Sequence, residues 1–383
     1  MTASPVSSVS VPLFAVHPDG RTPGLESGMY NLVSGLLRRD VAVEVTVADR
    51  QRLAPAFVVN LTANPGGALV EKRFPVPVAR SRFFEETAFA LSRSRASQVL
   101  YPNYFVPPTE TGRSHLVSAV IHDCLHHVYP EYFSATKRTW LSWQFGHTLR
   151  RADVTYLISE WERQMVARYH GDRAAERCRV IFNSIDWTRF DATLPTLPDW
   201  QERPFILSVC HPYPHKNVPL LIEAFGLLCE RDTDVLLALS GQPSPPVRQA
   251  IAALPDAAQA RLRFTGRLSD AELGQLYRAA TAYVSASRYE GFGMPVVEAL
   301  GFGLPTIVSA VGALPEVTLG MATLLPRDPK AADLADAMLQ AVRTGRRLSA
   351  PQIEHVRQTF SPDAQAARFL GLDLPALSGS PLP

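Results

Sequence analysis

The sequence predicts an α/β protein built from two doubly wound parallel sheets, on three observations. The chain has 383 residues with 46% hydrophobic content, enough for two domains that each bury a core. Short apolar, β-branched runs alternate with glycine-bearing turns and segments of helical periodicity, the order strand, loop, helix that winds a parallel sheet. Between residues 194 and 204, Pro195, Pro198 and Pro204 interrupt this rhythm and mark a linker. The expected division is a first domain over residues 1–200, a second over 201–350, and a final helical segment over 351–375 that crosses back to the first domain.

Composition excludes several classes. Lys and Arg number 38 against 36 Asp and Glu, so a duplex nucleic acid partner has little electrostatic support. No apolar run approaches the roughly eighteen residues of a membrane span. The opening Met-Thr-Ala-Ser-Pro lacks a positive region, and the first apolar run is too short for a secretory leader; the reading is an internal strand of a cytosolic protein. Cys124, Cys178, Cys210 and Cys229 form no C-x-x-C pair, so neither a disulfide framework nor a zinc site is signalled, and they read as buried thiols. The 32 prolines fall between apolar segments, and no solenoid period is visible.

In the first domain, residues 11–16 read as a strand, residues 17–28 as a glycine-bearing loop that includes Gly24, Glu26, Ser27 and Gly28, and residues 29–37 as a helix. Residues 41–47 and 57–61 read as further strands. Residues 80–95 mix Phe83, Phe84, Phe89 and Leu91 with Arg80, Arg82, Arg93 and Arg95. They read either as a membrane-surface segment or as an amphipathic helix packed on a sheet. Residues 117–121 form a strand whose carboxyl end carries His122 and Asp123, where open α/β sheets bind ligands; the plain alternative for His122 is a turn residue. His126 and His127 do not combine with it into a metal site. Ser159 and Glu162 have the spacing of a capping box.

The second domain opens with a strand at 205–209, and Lys216 falls where that strand gives way to a helix at 218–228, a position from which an ammonium reaches a diphosphate. Strands at 235–240 and 262–265 follow, then a helix from about Asp270 capped by Ser269. The most informative stretch is residues 281–309. An apolar run at 282–286 stops at Ser287, Gly291 and Gly293 open a turn, and Pro295 suits the first position of a helix that ends at Gly301. The run 305–309 is then extended. A helix starting after a glycine turn directs N–H groups, and the equivalent of roughly half a positive charge, at what lies above the strand ends. Glu290 precedes this turn and Glu298 follows it. Helices near 329–343 and 351–370 close the chain, and residues 376–383 read as a disordered tail.

Glu290-Gly-Phe-Gly-Met-Pro-Val-Val-Glu298 resembles the E-x7-E signature of retaining glycosyltransferases of family 4, which have the GT-B fold of two facing Rossmann-like domains with a cleft between them. The segments 151–160 and 180–186 resemble other family strand ends, the second with Ser184 where a Gly is usual. The resemblance implies that Glu290, Phe292, Gly293 and Met294 meet the donor sugar, Glu298 the ribose, and Lys216 the diphosphate. The backbone at Arg267 and Leu268 would flank the nucleobase, the loop with Gly28 would approach phosphate and acceptor, and His122 would lie by the reacting centre. His211 stands where many members have an Arg, which leaves the second phosphate contact open.

The function this implies is transfer of a hexose, with retention, from a nucleoside diphosphate sugar to a hydroxyl of a saccharide or glycolipid. The first domain resembles bacterial mannosyl- and hexosyltransferases of surface polysaccharide synthesis, which makes GDP-mannose the first guess. No cofactor and no metal are expected, since no D-x-D motif lies where the donor would sit. Peripheral contact with the inner membrane face is a further expectation. Two other readings stand: a nucleotide sugar epimerase, and a nucleotide-sugar-binding protein without turnover. An NAD-dependent dehydrogenase is disfavoured because no G-x-G-x-x-G follows the first strand.

Overall fold

The computed structural model describes residues 6–14, 23–73, 82–92, 94–111, 114–192, 203–209, 213–231 and 234–372. The chain divides into two compact units, one of residues 1–185 and 360–375, the other of residues 186–359 and 376–383. Each described sheet is wholly parallel, and each begins with a strand near its middle.

The first unit runs β1 (Ser8–Pro12), α1 (Pro23–Leu37), β2 (Ala42–Val47), α2 (Pro55–Ala63), β3 (Gly67–Glu71), α3 (Arg82–Leu91), β4 (Gln98–Tyr101), β5 (Leu116–Ile121), α4 (Leu125–Val128), α5 (Ala135–Arg151), β6 (Val154–Leu157), α6 (Glu160–His170), α7 (Asp172–Glu176) and β7 (Cys178–Val180). Its sheet order is β3-β2-β1-β4-β5-β6-β7. Val9 and Val11 pair in register with Val43 and Val45, and all four are buried, as strands covered on both faces require.

Three sequence readings are corrected here. Residues 57–61 are helical rather than extended: Pro55 opens the turn, and Phe57 and Leu61, four residues apart, share the buried face. Gly28 lies inside α1 rather than in a loop, because the helix already starts at Pro23. A Cβ there would stand 3.0 Å from Asn183 Oδ1, so the missing side chain admits the loop after β7. The closing segment is two helices, not one, since Ser361 caps a new helix that Pro362 begins.

The second unit continues with β8 (Phe205–Val209), α8 (Val218–Cys229), β9 (Leu236–Ser240), α9 (Pro245–Ala252), α10 (Asp256–Gln259), β10 (Leu262–Phe264), α11 (Asp270–Ala279), β11 (Ala282–Ser285), α12 (Met294–Gly301), β12 (Thr306–Ser309), α13 (Leu314–Val317), β13 (Thr323–Leu325), α14 (Ala331–Thr344) and α15 (Ala350–Thr359). Its sheet order is β10-β9-β8-β11-β12-β13. Ile206, Leu237, Val284 and Ile307 of the central strands bury against Leu221, Ile222 and Phe225 of α8 and Leu334 and Met338 of α14. The unit begins at Asp186, ahead of the proline-rich segment, because Trp187 and Phe190 pack on Phe302 at the end of α12. Residues 193–202, most of that linker, lie outside the described residues, as do His211, Cys210, and the tail at 376–383.

The last helix, α16 (Pro362–Phe369), belongs to the first unit. Ser184 Oγ donates to Gln365 Oε1 at 2.7 Å, Gln365 Nε2 donates to Phe182 O at 2.7 Å, and Asn31 Nδ2 donates to Ser184 O at 2.7 Å. The Ser that replaces the usual Gly thus supplies a hydroxyl that holds α16. Tyr156 adds a stacked ring on Phe369 at 4.5 Å and donates its OH to Phe369 O.

Gly35 of α1 makes this docking close: a Cβ there would lie 2.1 Å from Pro362 O. Gly35→Ala should destabilise the first unit by about 1 to 3 kcal/mol through overpacking, read as a lower denaturant midpoint. A second expectation concerns His126 and His127, which pack against Phe145 and, for His127, Tyr169. Burial, then neighbouring imidazoles, lowers them from 6.5 to about 3 and about 4. The unfolded chain therefore takes up protons first as pH falls. The contribution of these two groups should be full above pH 6.5 and decline from there toward about 4 for His127 and about 3 for His126, and equal unfolding midpoints at about pH 7 and about pH 5 would contradict this.

Candidate functional site

In the second sheet, β8 and β11 are neighbours, and the chain winds away from them in opposite directions, to β9 on one side and β12 on the other. Loops leaving the carboxyl ends of such a pair diverge and leave a crevice, the usual ligand site of open α/β sheets. The loop after β8 carries Lys216, and the loop after β11 carries Ser287 to Gly293. Arg288 N–H donates to His215 O at 2.7 Å and joins the two loops.

Lys216 ends a short 3-10 turn over Pro214–Lys216. Asn217 then takes a left-handed conformation (φ 51°), one that Asn tolerates better than most residues, and caps α8. Lys216 Nζ donates to both oxygens of Glu290, at 2.8 and 2.9 Å, with both side chains largely buried. Ser287 Oγ donates to Glu290 Oε1 at 2.7 Å and is itself 3.1 Å from Ser285 Oγ. The Glu290 backbone is fixed as firmly: Ala313 N–H donates to its carbonyl at 2.9 Å, and a Cβ on Gly312 (φ 58°) would come within 2.1 Å of that oxygen. Ser287, Gly312 and Ala313 were not singled out by the sequence reading. Ser287 stood within the central stretch, while nothing local marks a glycine twenty-two residues past Glu290 as its backbone clasp.

Gly293 caps α12 with φ 91°, and a Cβ there would meet Leu314 at 2.6 Å, so the turn both needs its backbone freedom and lacks room for a side chain. Met294 and Pro295 open the helix; Pro295 has no N–H, and Val296 N–H and Val297 N–H donate to Gly293 O at 2.9 and 3.2 Å. Phe292 is buried beside this turn. Arg267, exposed, and Leu268 follow Gly266 (φ 69°) at the end of β10; Gly241 N–H donates to Gly266 O at 2.8 Å, which ties this loop to the end of β9. Lys216, Glu290, Gly293, Met294, Arg267 and Leu268 therefore all follow carboxyl ends on one edge of one sheet.

Glu298 occupies a different environment. It is 3% exposed, and its two oxygens accept from Arg189 Nη2 and from Tyr277 OH, the latter at 2.8 Å. Burial, then the Glu298 carboxylate, pushes the Tyr277 phenol well above its ordinary range, so it stays a donor. Burial works to lower the Arg189 guanidinium, but Glu298 and Asp270 outweigh it and hold it above its usual value. Arg189 and Tyr277 escaped the sequence reading because each lies far along the chain from the motif.

In the first unit, His122 lies at the carboxyl end of β5, buried, with Nε2 2.9 Å from Pro102 O. A carbonyl only accepts, so the proton sits on Nε2. Asp123 beside it is raised by burial, against a backbone hydrogen bond from Leu125. Below them the fully buried Glu162 accepts from Cys124 N–H at 2.9 Å, while Ser159 accepts from Glu162 N–H at 3.2 Å as helix cap. Gly28 is also in this unit, within α1. Among the described residues no three His, Cys, Asp or Glu side chains converge as metal ligands.

Arg189→Ala would leave the Glu298 carboxylate buried without its cation and should cost about 3 to 5 kcal/mol of stability. Tyr277→Phe removes one neutral donor and should cost about 1 to 3 kcal/mol. Chemical denaturation of the two variants measures the difference; equal losses would contradict the assignment of Arg189 as the charge partner.

Residues 197–357 match the family model for glycosyl transferases group 1. The chain is 29% identical over 253 residues to O-antigen chain mannosyltransferase B of Escherichia coli, which covers 63% of this chain and 64% of the relative. It is 33% identical over 178 residues to the serotype-specific mannosyltransferase WbdA of the same organism, 44% of this chain but 22% of that protein. The chain thus spans less than two thirds of the length of these curated relatives. Among solved structures, Anabaena HepE in complex with UDP and glucose superposes with a TM-score of 0.71 at 16% identity, covering 95% of this chain and 98% of that one. Sucrose-phosphate synthase from Thermosynechococcus elongatus superposes with a TM-score of 0.70 at 18% identity, covering 95% and 97%. The two Rossmann-like parallel sheets are those of the GT-B fold.

Proposed function

We propose that the chain is a retaining glycosyltransferase that moves a hexose from a nucleoside diphosphate sugar to a hydroxyl of a saccharide or glycolipid. The observation that carries this is the Lys216–Glu290 pair at the switch between β8 and β11, beside the start of α12. The matches to mannosyltransferases favour mannose, with GDP-mannose as the first donor to test. The solved HepE complexes contain UDP, so uridine donors form the second arm. Peripheral contact with the inner membrane face belongs to the same proposal; no described helix is long and apolar enough to cross a membrane.

Breaking the anomeric bond leaves negative charge on the diphosphate and positive charge on the sugar. Lys216 pairs with both carboxylate oxygens of Glu290. Arrival of the diphosphate moves Lys216 to the phosphates and releases Glu290 to accept from the sugar's hydroxyls, and the positive end of the α12 dipole adds to the phosphate seat. Glu298, oriented by Arg189 and Tyr277, serves the ribose, the backbone at Arg267 and Leu268 flanks the base, and His122 takes part at the reacting centre. Retention follows if the departing phosphate takes the acceptor proton on the same face. The chain's own residues then supply positioning and charge stabilisation.

Lys216→Ala and Glu290→Ala should each lower turnover by roughly a hundredfold to a thousandfold, the usual effect of losing one preorganised group. Glu298→Gln should act mainly on donor affinity. The assay is acceptor-dependent release of nucleoside diphosphate from GDP-, UDP- and ADP-sugars. Release that needs no acceptor, or Lys216 and Glu290 variants with wild-type rates, would overturn the proposal.

A further inference from the structure

Helix α5 carries Lys137, Arg138, Arg150 and Arg151 and no carboxylate, in a chain whose 38 cations are otherwise nearly matched by 36 carboxylates. On its outer side Trp140 and Trp143 are 44% and 41% exposed and stack at 5.1 Å with 24° between their planes. Lys137 stands over the ring of Phe133, just before the helix, at 5.3 Å. The opposite side packs into the core through Phe145 and Leu149. Two large indoles left half in water, on a helix whose own charged residues are all cations, are a costly surface unless something covers them.

We infer that the outer face of α5, with Trp140 and Trp143 as anchors and Lys137 and Arg150 beside them, docks the first unit on an anionic lipid bilayer. Tryptophan fits the boundary between headgroup and acyl chain because its ring is apolar and its N–H is polar. Each cation near a negatively charged bilayer surface adds attraction that salt weakens. On α3, the segment whose composition first suggested a membrane, Phe84 and Leu91 are exposed, but the helix carries no tryptophan and a single basic residue, Arg82, while its Glu85 and Glu86 are buried. A neutral polysaccharide would stack on the indoles but gives no reason for a helix of unbalanced positive charge. The inference deepens the membrane part of the proposed function and is independent of its catalytic part.

The test is co-sedimentation of the full chain with vesicles of phosphatidylcholine, with and without phosphatidylglycerol, alongside tryptophan emission. The wild type should pellet with the anionic vesicles, with blue-shifted emission, and should dissociate at high salt. Trp140→Ala/Trp143→Ala and Lys137→Gln/Arg150→Gln should each lower partitioning about tenfold or more, with thermal midpoints near wild type because the side chains are exposed. A wild type that ignores anionic vesicles would overturn the inference. So would variants that bind vesicles like the wild type, or tryptophan variants that lose affinity only for a soluble saccharide. Transfer to a soluble acceptor, run in parallel, separates the two readings: binding without transfer overturns only the proposed chemistry, and transfer without binding overturns only the docking face.

Discussion

The second unit depends on a constraint of parallel sheets: where winding reverses, two loops must part, and something must hold the opening in shape. Here that is the pairing of Lys216 with Glu290, backed by Ser287 on one carboxylate oxygen and by Ala313 and Gly312 on the backbone. Two opposite charges, largely out of water, lose hydration and regain it only through good geometry. Both Glu290 oxygens accept from one ammonium, so the geometry is good.

Eight residues on, Glu298 faces a different balance. Arg189 and Tyr277 satisfy it from separate parts of the chain, and Arg189 stands on the segment that opens the second unit. Trp187, on the same segment, fills the space that a side chain at Gly301 would need; a Cβ there would sit 2.1 Å from the indole. The α12 helix is therefore clamped at both ends, by the glycine turn before it and by Trp187 and Phe190 behind it. Two carboxylates of one motif thus differ in kind: one pairs with a single ammonium in a neighbouring loop, the other with a guanidinium and a phenol from separate segments.

The first unit uses side chains differently. Its closing device is the network of Asn31, Ser184 and Gln365, which gathers α1, the end of β7 and α16. Ser184 read as a departure from a glycine pattern, and tertiary context turned that departure into a hydrogen bond to a helix more than a hundred and eighty residues away. The His126 and His127 cluster likewise read as unremarkable, yet burial against Phe145 and Tyr169, and then the neighbouring imidazoles, keep both rings neutral in the ordinary range.

What the sequence determined by itself was whatever local periodicity and turn chemistry encode. That covers the α/β class, the strand, turn and helix around Gly293, the caps at Ser159 and Ser269, and the placement of Lys216 and Glu290 at strand ends. It misread residues 57–61, where a short apolar run suits strand and helix alike and only Pro55 and the burial of Phe57 with Leu61 decide. Short strands such as Gln98–Tyr101 were invisible because four buried residues carry no period. Tertiary structure alone decided that Lys216 meets Glu290 and that Arg189 and Tyr277 hold Glu298. It also decided that α5 turns two tryptophans outward. These contacts join residues far apart in the chain, and folding fixes such distances through the packing of whole sheets, which no local pattern records.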